Sequence, residues 1–179
     1  MKKIIIITFI SLFALSAKAQ HVFENHDLMI NTGLGIFGYD GWVPSINVSG
    51  EYGAIPTGDV GLVAFGAIMA YKYSTYSWDA YSYDNNYHQF VIGPRGIWHL
   101  HVFESNKWDA YAGVGFGLRI WSEYKYNSGS GSVDKQAKVS PYGEMFIGGR
   151  MMISESFGLF AEVGYGTLSA TKFGATFVF

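Results

Sequence analysis

The last nine residues, Thr171-Lys172-Phe173-Gly174-Ala175-Thr176-Phe177-Val178-Phe179, set the strongest constraint on the fold. Thr171, Phe173, Ala175, Phe177 and Phe179 share one parity, and Lys172, Gly174 and Thr176 share the other. A strand with this pattern presents one face to an apolar medium and keeps its charge on the opposite face. A sandwich strand alternates in the same way, so the rest of the chain must decide between a sandwich and a barrel.

At the other end, Met1-Lys2-Lys3 is basic, Ile4 to Leu15 is apolar except for Thr8 and Ser11, and Ala17-Lys18-Ala19 offers small residues for cleavage. This is the layout of a secretory signal peptide, and its apolar run is short for a spanning helix. The expected organisation is a signal over 1–19 and one barrel domain over 20–179. Removing Lys2, Lys3 and Lys18 takes three of the 12 basic residues and leaves nine against 14 acidic ones, a net charge of −5 that argues against a nucleic-acid partner. No cysteine is present, which excludes disulfides and thiolate chemistry. Past residue 19 there is no long apolar run, so helical spans are excluded, yet 18% of the chain is aromatic and 23 residues are glycine.

Eight segments read as strands long enough to cross a bilayer at a tilt: 27–38, 44–53, 59–73, 87–102, 109–124, 140–153, 157–166 and 170–179. An even count returns both ends to one side. The test of a membrane barrel is a charge-free outer face, because Lys or Arg facing lipid at the midplane costs about 2–4 kcal/mol. Leu28, Ile30, Leu34 and Ile36 oppose Asn31 and two glycines; Ile46, Val48 and Tyr52 oppose Asn47, Ser49 and Glu51. Phe90, Ile92, Trp98 and Leu100 oppose Gln89, Arg95 and His99, and Val114, Phe116, Leu118 and Ile120 oppose Arg119. Met145, Ile147, Met151 and Ile153 oppose Glu144 and Arg150; Leu159, Val163 and Tyr165 oppose Glu162. The third segment is apolar on both faces, and Lys72 is placed inside. Inward Gly113, Gly115 and Gly117 make room for large neighbours in a narrow barrel.

The architecture these segments specify is all-β, an eight-stranded antiparallel up-and-down transmembrane barrel. Its lumen would hold a charge network of Glu51, Arg95, Arg119, Glu144, Arg150, Glu162 and Lys172, since an isolated buried ion costs several kcal/mol. Hairpin arithmetic, with turns centred near 132 and 156, pairs Arg119 with Glu144 and Arg150 with Glu162. The turns at 54–58, 103–108 and 154–156 are short, and two long loops, Ser74–Asn86 and Lys125–Val139, lie at the opposite end. The first loop carries the aromatics Tyr76, Trp78, Tyr81 and Tyr83; the second contains the Gly/Ser run Asn127–Ser132. Tyr39, Trp42, Tyr71, Tyr73, Trp121 and Tyr124 form a girdle at one boundary, with Tyr52, Phe103, Trp108, Phe157 and Phe179 at the other. Pro94 lacks a donor, so a bulge or one lost rung is expected there.

The signal, the eight alternating segments, Gly93-Pro94-Arg95-Gly96, Glu162-Val163-Gly164-Tyr165-Gly166 and the terminal Phe177-Val178-Phe179 together resemble the small eight-stranded outer-membrane barrels of the OmpA transmembrane-domain and OmpX type, a porin-like class. The resemblance covers 27–179. It implies an integral protein of the bacterial outer membrane, with both termini periplasmic. Its partners would be outer-membrane lipid and the barrel assembly machinery, the latter through the strand ending at Phe179. The function it implies is non-enzymatic display of external loops for surface binding, adhesion or envelope integrity. A narrow channel for small or apolar solutes is the alternative, although eight strands leave an interior only wide enough for side chains or one small ligand.

No residue is assigned to catalysis, a cofactor or a metal. His99-Leu100-His101, with His88 on the same segment, supplies fewer converging ligands than zinc needs. A lipid-acyl hydrolase would need Ser, His and an acid in mutual reach, and His88 has only Ser82 and Asp84 of the external loop nearby.

Overall fold

The computed structural model describes residues 21–38, 42–78, 83–103, 105–127, 132–166 and 168–179; the expected signal segment lies outside them. Eight strands follow in chain order: β1 (Leu28–Ile36), β2 (Ser45–Pro56), β3 (Gly61–Trp78), β4 (Tyr83–Leu100), β5 (Trp108–Asn127), β6 (Ser132–Met152), β7 (Phe157–Tyr165) and β8 (Thr171–Val178). Each pairs antiparallel with its sequence neighbour, and β1 pairs with β8, closing the ring. Beyond the end of β8, Phe179 exchanges backbone hydrogen bonds with Leu28, 2.8 and 3.1 Å long. A closed sheet leaves no unpaired edge, which is the condition for crossing a bilayer with strands.

The expected parity holds around the ring. Outward Phe116 and Ile147 are 70% and 66% exposed, whereas inward Arg150 and Lys72 are 1% exposed, an inversion that water alone would not stabilise. The third strand, ambiguous in sequence, turns Leu62, Ala64, Ile68, Ala70 and Lys72 inward. Small and large residues meet across the β5–β6 ladder, where Gly113 faces Phe146, Gly115 faces Glu144 and Gly117 faces Tyr142. A Cβ on Gly113 would collide with the Phe146 ring, so the glycine is the space that the ring occupies.

Strand length is uneven. β1, β7 and β8 have 8 or 9 residues, the span of a tilted membrane crossing, while β3 to β6 have 18 to 21. Ser45, the first residue of β2, pairs with Lys72, and Tyr165, the last of β7, pairs with Met145. Beyond those points β3 to β6 pair only among themselves and rise as a wall of two hairpins on one side of the barrel. This corrects the two expected loops: most of Ser74–Asn86 and Lys125–Val139 is paired strand, and only 79–82 and 128–131 lie between the strands, outside the described residues. The sequence reading ended each strand at the membrane thickness, but beyond it the hairpins pair among themselves and water can hydrate the outer edges of β3 and β6, so the strands continue.

Pro94, with Gly93, costs the ladder two residue pairs without changing register. Pairing of β4 with β5 breaks between Ile92–Leu118 and Arg95–Gly115 and resumes in phase, so no bulge forms. A register shift lies instead between β2 and β3, at Gly53 to Ile55. Of the expected girdles, Trp42, Tyr71, Tyr73, Tyr52, Phe103, Trp108 and Phe179 are exposed. Trp121 departs from the pattern: it has inward parity and stacks against Tyr87, with ring centroids 5.7 Å apart. Tyr39 lies outside the described residues.

Candidate functional site

Inward parity delivers a set of long charged side chains to the lumen, and the narrow bore forces them together. Arg95 of β4 binds Glu144 of β6 through Nε at 2.9 Å and Glu162 of β7 through Nη2 at 2.8 Å. Lys172 of β8 bridges the same two carboxylates at 3.2 Å each. The Tyr111 hydroxyl donates to Glu162 at 3.2 Å, and the Arg95 guanidinium sits 3.6 Å from the Phe146 ring centroid. Nearer the chain ends, Arg150 of β6 binds Glu51 of β2, and it binds Asp109 of β5 at 2.8 Å. His99 lies between the same two acids, 2.9 Å from Asp109 and 3.4 Å from Glu51, and Asn31 donates to Glu51 at 3.1 Å. Tyr111 joins the two groups, since the Arg150 guanidinium lies 4.0 Å from its ring centroid.

Six of the seven charges read as a lumen set therefore meet, but not in the expected pairs. The β5–β6 turn is centred nearer the chain start than supposed, so Arg119 faces Ser140 and donates to the Gly166 carbonyl at 3.0 Å, away from Glu144. Arg150 faces Phe160, while Glu162 faces Gly148. Arg150 reaches across the bore to Glu51, and Glu162 is held by Arg95 and Lys172. Backbone register fixes neighbours along a ladder; in a lumen this narrow, partners across the bore compete with them. Asp109 belongs to the set and has the same parity as Arg119, so alternation alone would have found it.

The end of the barrel where the described residues begin, and where Phe179 lies, is plugged. Val22 and Phe23 enter the lumen and pack with Met29, Leu62, Ala64, Ile97, Tyr111, Phe146 and Met152. The Phe23 ring lies 4.5 Å from that of His99, and His21 stacks on His101 at 3.8 Å with the planes 3° apart. His26, at φ 77°, turns the segment, and its N–H donates to the Gly53 carbonyl at 2.9 Å; the Gly53 N–H donates to the Asp27 backbone carbonyl at 3.0 Å. A Cβ on Gly53 would strike the Glu24 carbonyl, so the close crossing requires glycine. The apolar pair Val22-Phe23, two residues past the expected cleavage point, was the available signal in the sequence.

At the opposite end the sequence-selected aromatics Tyr76, Trp78 and Tyr83 stand on the paired ends of β3 and β4, and Tyr81 lies outside the described residues, as does Ser82. His88 points to the outer wall, where its Nδ1 lies 2.8 Å from the Tyr71 hydroxyl.

A closed eight-stranded up-and-down ring, apolar outside and ionic within, is the architecture of the small outer-membrane β-barrels. Among solved structures, Ail, the attachment invasion locus protein of Yersinia pestis, superposes with a TM-score of 0.51 at 12% identity, over 87% of this chain and 100% of that one. Ail in complex with the heparin analogue sucrose octasulfate gives 0.52 at 14%, with the same coverage. The N-terminal barrel domain of Pseudomonas aeruginosa OprF gives 0.49 at 16%, over 87% and 98%. At these identities the likeness is one of fold. No protein-family model matches the chain, and no curated protein matches it.

Proposed function

We propose that this chain is an integral protein of a bacterial outer membrane, with both termini at the periplasmic face, and that it acts without catalysis by displaying the β3–β4 and β5–β6 hairpins outside the cell for binding or envelope integrity. The observation that carries this reading is a filled bore beneath a tall one-sided wall. Arg95, Glu144, Arg150, Glu162 and Lys172 occupy the interior and Phe23 closes one end, so the surface with freedom to act is the wall. Pairing of Phe179 with Leu28 supports the terminal strand as the last to be sealed, the role expected of a segment handed over by the assembly machinery.

Epitope tags inserted after Gly129 and after Glu155, probed on intact cells, test the orientation: the first should be labelled and the second should not. Flux of small ions and dyes through reconstituted vesicles should stay at the protein-free level; robust flux would replace display with a channel. The Ail structure holds a sulfated saccharide, which makes sulfated glycans a sensible first probe for the hairpins, alongside growth of a deletion strain under envelope stress.

A further inference from the structure

The outer wall changes character toward its free end. Along β3 to β6 the outward Met69, Ile92, Leu118 and Val139 give way to Tyr71, Tyr73, Asn86, His88, Tyr124 and Lys135. These are ladder neighbours: Tyr73 faces His88, Asn86 faces Tyr124, and Tyr124 faces Lys135. They also hold one another. The Tyr71 hydroxyl engages His88 Nδ1 at 2.8 Å, and the Tyr73 hydroxyl donates to Asn86 Oδ1 at 3.1 Å. The rings of Tyr73 and Tyr124 lie 5.0 and 5.5 Å from that of His88, and Lys135 Nζ sits 5.1 Å from the Tyr124 centroid. Tyr71 and Tyr73 nevertheless remain 40% and 45% exposed.

Acyl chains are poor partners for such a surface, because every one of these side chains carries a hydrogen-bonding group. Simple anchoring at a membrane boundary needs aromatic rings, and it does not need their polar ends interlocked at fixed angles. Rigid rings with donors and acceptors between them suit a sugar, whose C–H face lies on aromatic faces while its hydroxyls exchange hydrogen bonds at the edges. The Lys135 ammonium and the second nitrogen of His88 suit an anionic oxygen. No carboxylate shares the outward parity over 69–75, 86–92, 118–124 and 133–139, so nothing described on this patch opposes a phosphate.

We propose that this patch docks the phosphorylated saccharide headgroup of an outer-leaflet glycolipid, with the sugar on Tyr73 and Tyr124 and the phosphate at Lys135 and His88. The proposal rests on the outer-membrane reading above and goes beyond it by naming a lateral lipid partner and its site.

The test titrates the purified full-length mature barrel, in neutral detergent micelles, with a diphosphorylated, acylated glucosamine disaccharide, with its dephosphorylated form, and with phosphatidylglycerol at matched charge. Thermal unfolding followed by heat-modifiable gel migration reads binding and reports whether each variant is folded. The diphosphorylated glycolipid should stabilise the barrel most. Combining Tyr73→Ala with Tyr124→Ala should weaken its binding about tenfold, the loss expected from two exposed aromatic contacts. Tyr124→Phe should bind like the parent, and Lys135→Gln, at an exposed position that leaves folding intact, should lose the preference for the phosphorylated form. Equal stabilisation by phosphatidylglycerol, or parental selectivity in Lys135→Gln, would overturn the proposal. Cell fractionation and tag labelling report location separately, so an error about the membrane and an error about the patch give different results.

Discussion

The acid at position 162 shows what a single residue does in a bore this narrow. Glu162 is 2% exposed and is shared by Arg95 and Lys172. Glu162→Ala should leave two buried cations short of a counter-ion and lower stability by about 3–5 kcal/mol, measured by urea unfolding in detergent. A double-mutant cycle should find coupling of Glu162 to Arg95 larger than its coupling to Arg150; equal coupling would place the ion pairs elsewhere. Inward charge was legible from parity, residue by residue. The partners were not, because Arg150 chooses between its ladder neighbours and Glu51 across the bore on the basis of a shape that only the closed ring defines. His101 is a second residue with a testable consequence. Burial at the plugged mouth, followed by the neighbouring His21, lowers its pKa from the ordinary 6.5. The unfolded chain therefore takes up the proton first, so the stabilising contribution is complete above 6.5 and is lost as the pH falls from there through the lower folded-state value. Hydrogen-exchange protection at Val22 and Phe23, taken relative to the intrinsic exchange rate at each pH, should fall on acidification below that point, and His21→Gln should weaken this pH dependence. Protection that stays constant with pH in the parent would mean that the stacked rings do not hold the plug.

Elements carry information that residues alone do not. Pro94 interrupts the β4–β5 ladder without disturbing its phase, which means the flanking pairs, and not the two missing ones, set the register. Pro94→Val should therefore keep the fold and equal or exceed the parent in stability, by up to about 1 kcal/mol, because it restores a donor. A marked loss in the same unfolding assay would show that the ring of Pro94 is required for the shape of the wall. The eight strands were readable because lipid on one side and a polar bore on the other enforce a strict period of two. Their outer ends were not readable. Tyr71 through Trp78 and Tyr83 through His88 keep pairing after the outer face has become polar, where an apolar/polar contrast no longer marks a boundary.

At the scale of the whole molecule the plug decides how the inside meets one mouth of the barrel. Phe23 is 2% exposed within the apolar layer around Met29 and Phe146. Phe23→Ala should cost about 3–5 kcal/mol if the cavity stays open, and the same change should make the amides around Val22 exchange faster than those of β1. A loss close to zero would show that the segment merely rests at the mouth. That layer escaped the sequence reading because its first members precede the first strand, where no periodicity flags an inward side chain. The ion network has a further consequence, for the order of assembly. Its members are spread over β2, β4, β5, β6, β7 and β8, and Lys172 arrives on the final strand. An unclosed sheet would hold Glu144 and Glu162 with one cation fewer, in a bore still open to water along the missing seam. Water can solvate those acids until closure expels it, so the electrostatic gain comes late and all at once. Parting the first and last strands would let water back to Glu144 and Glu162, so the late electrostatic gain of closure is also a resistance to reopening that seam.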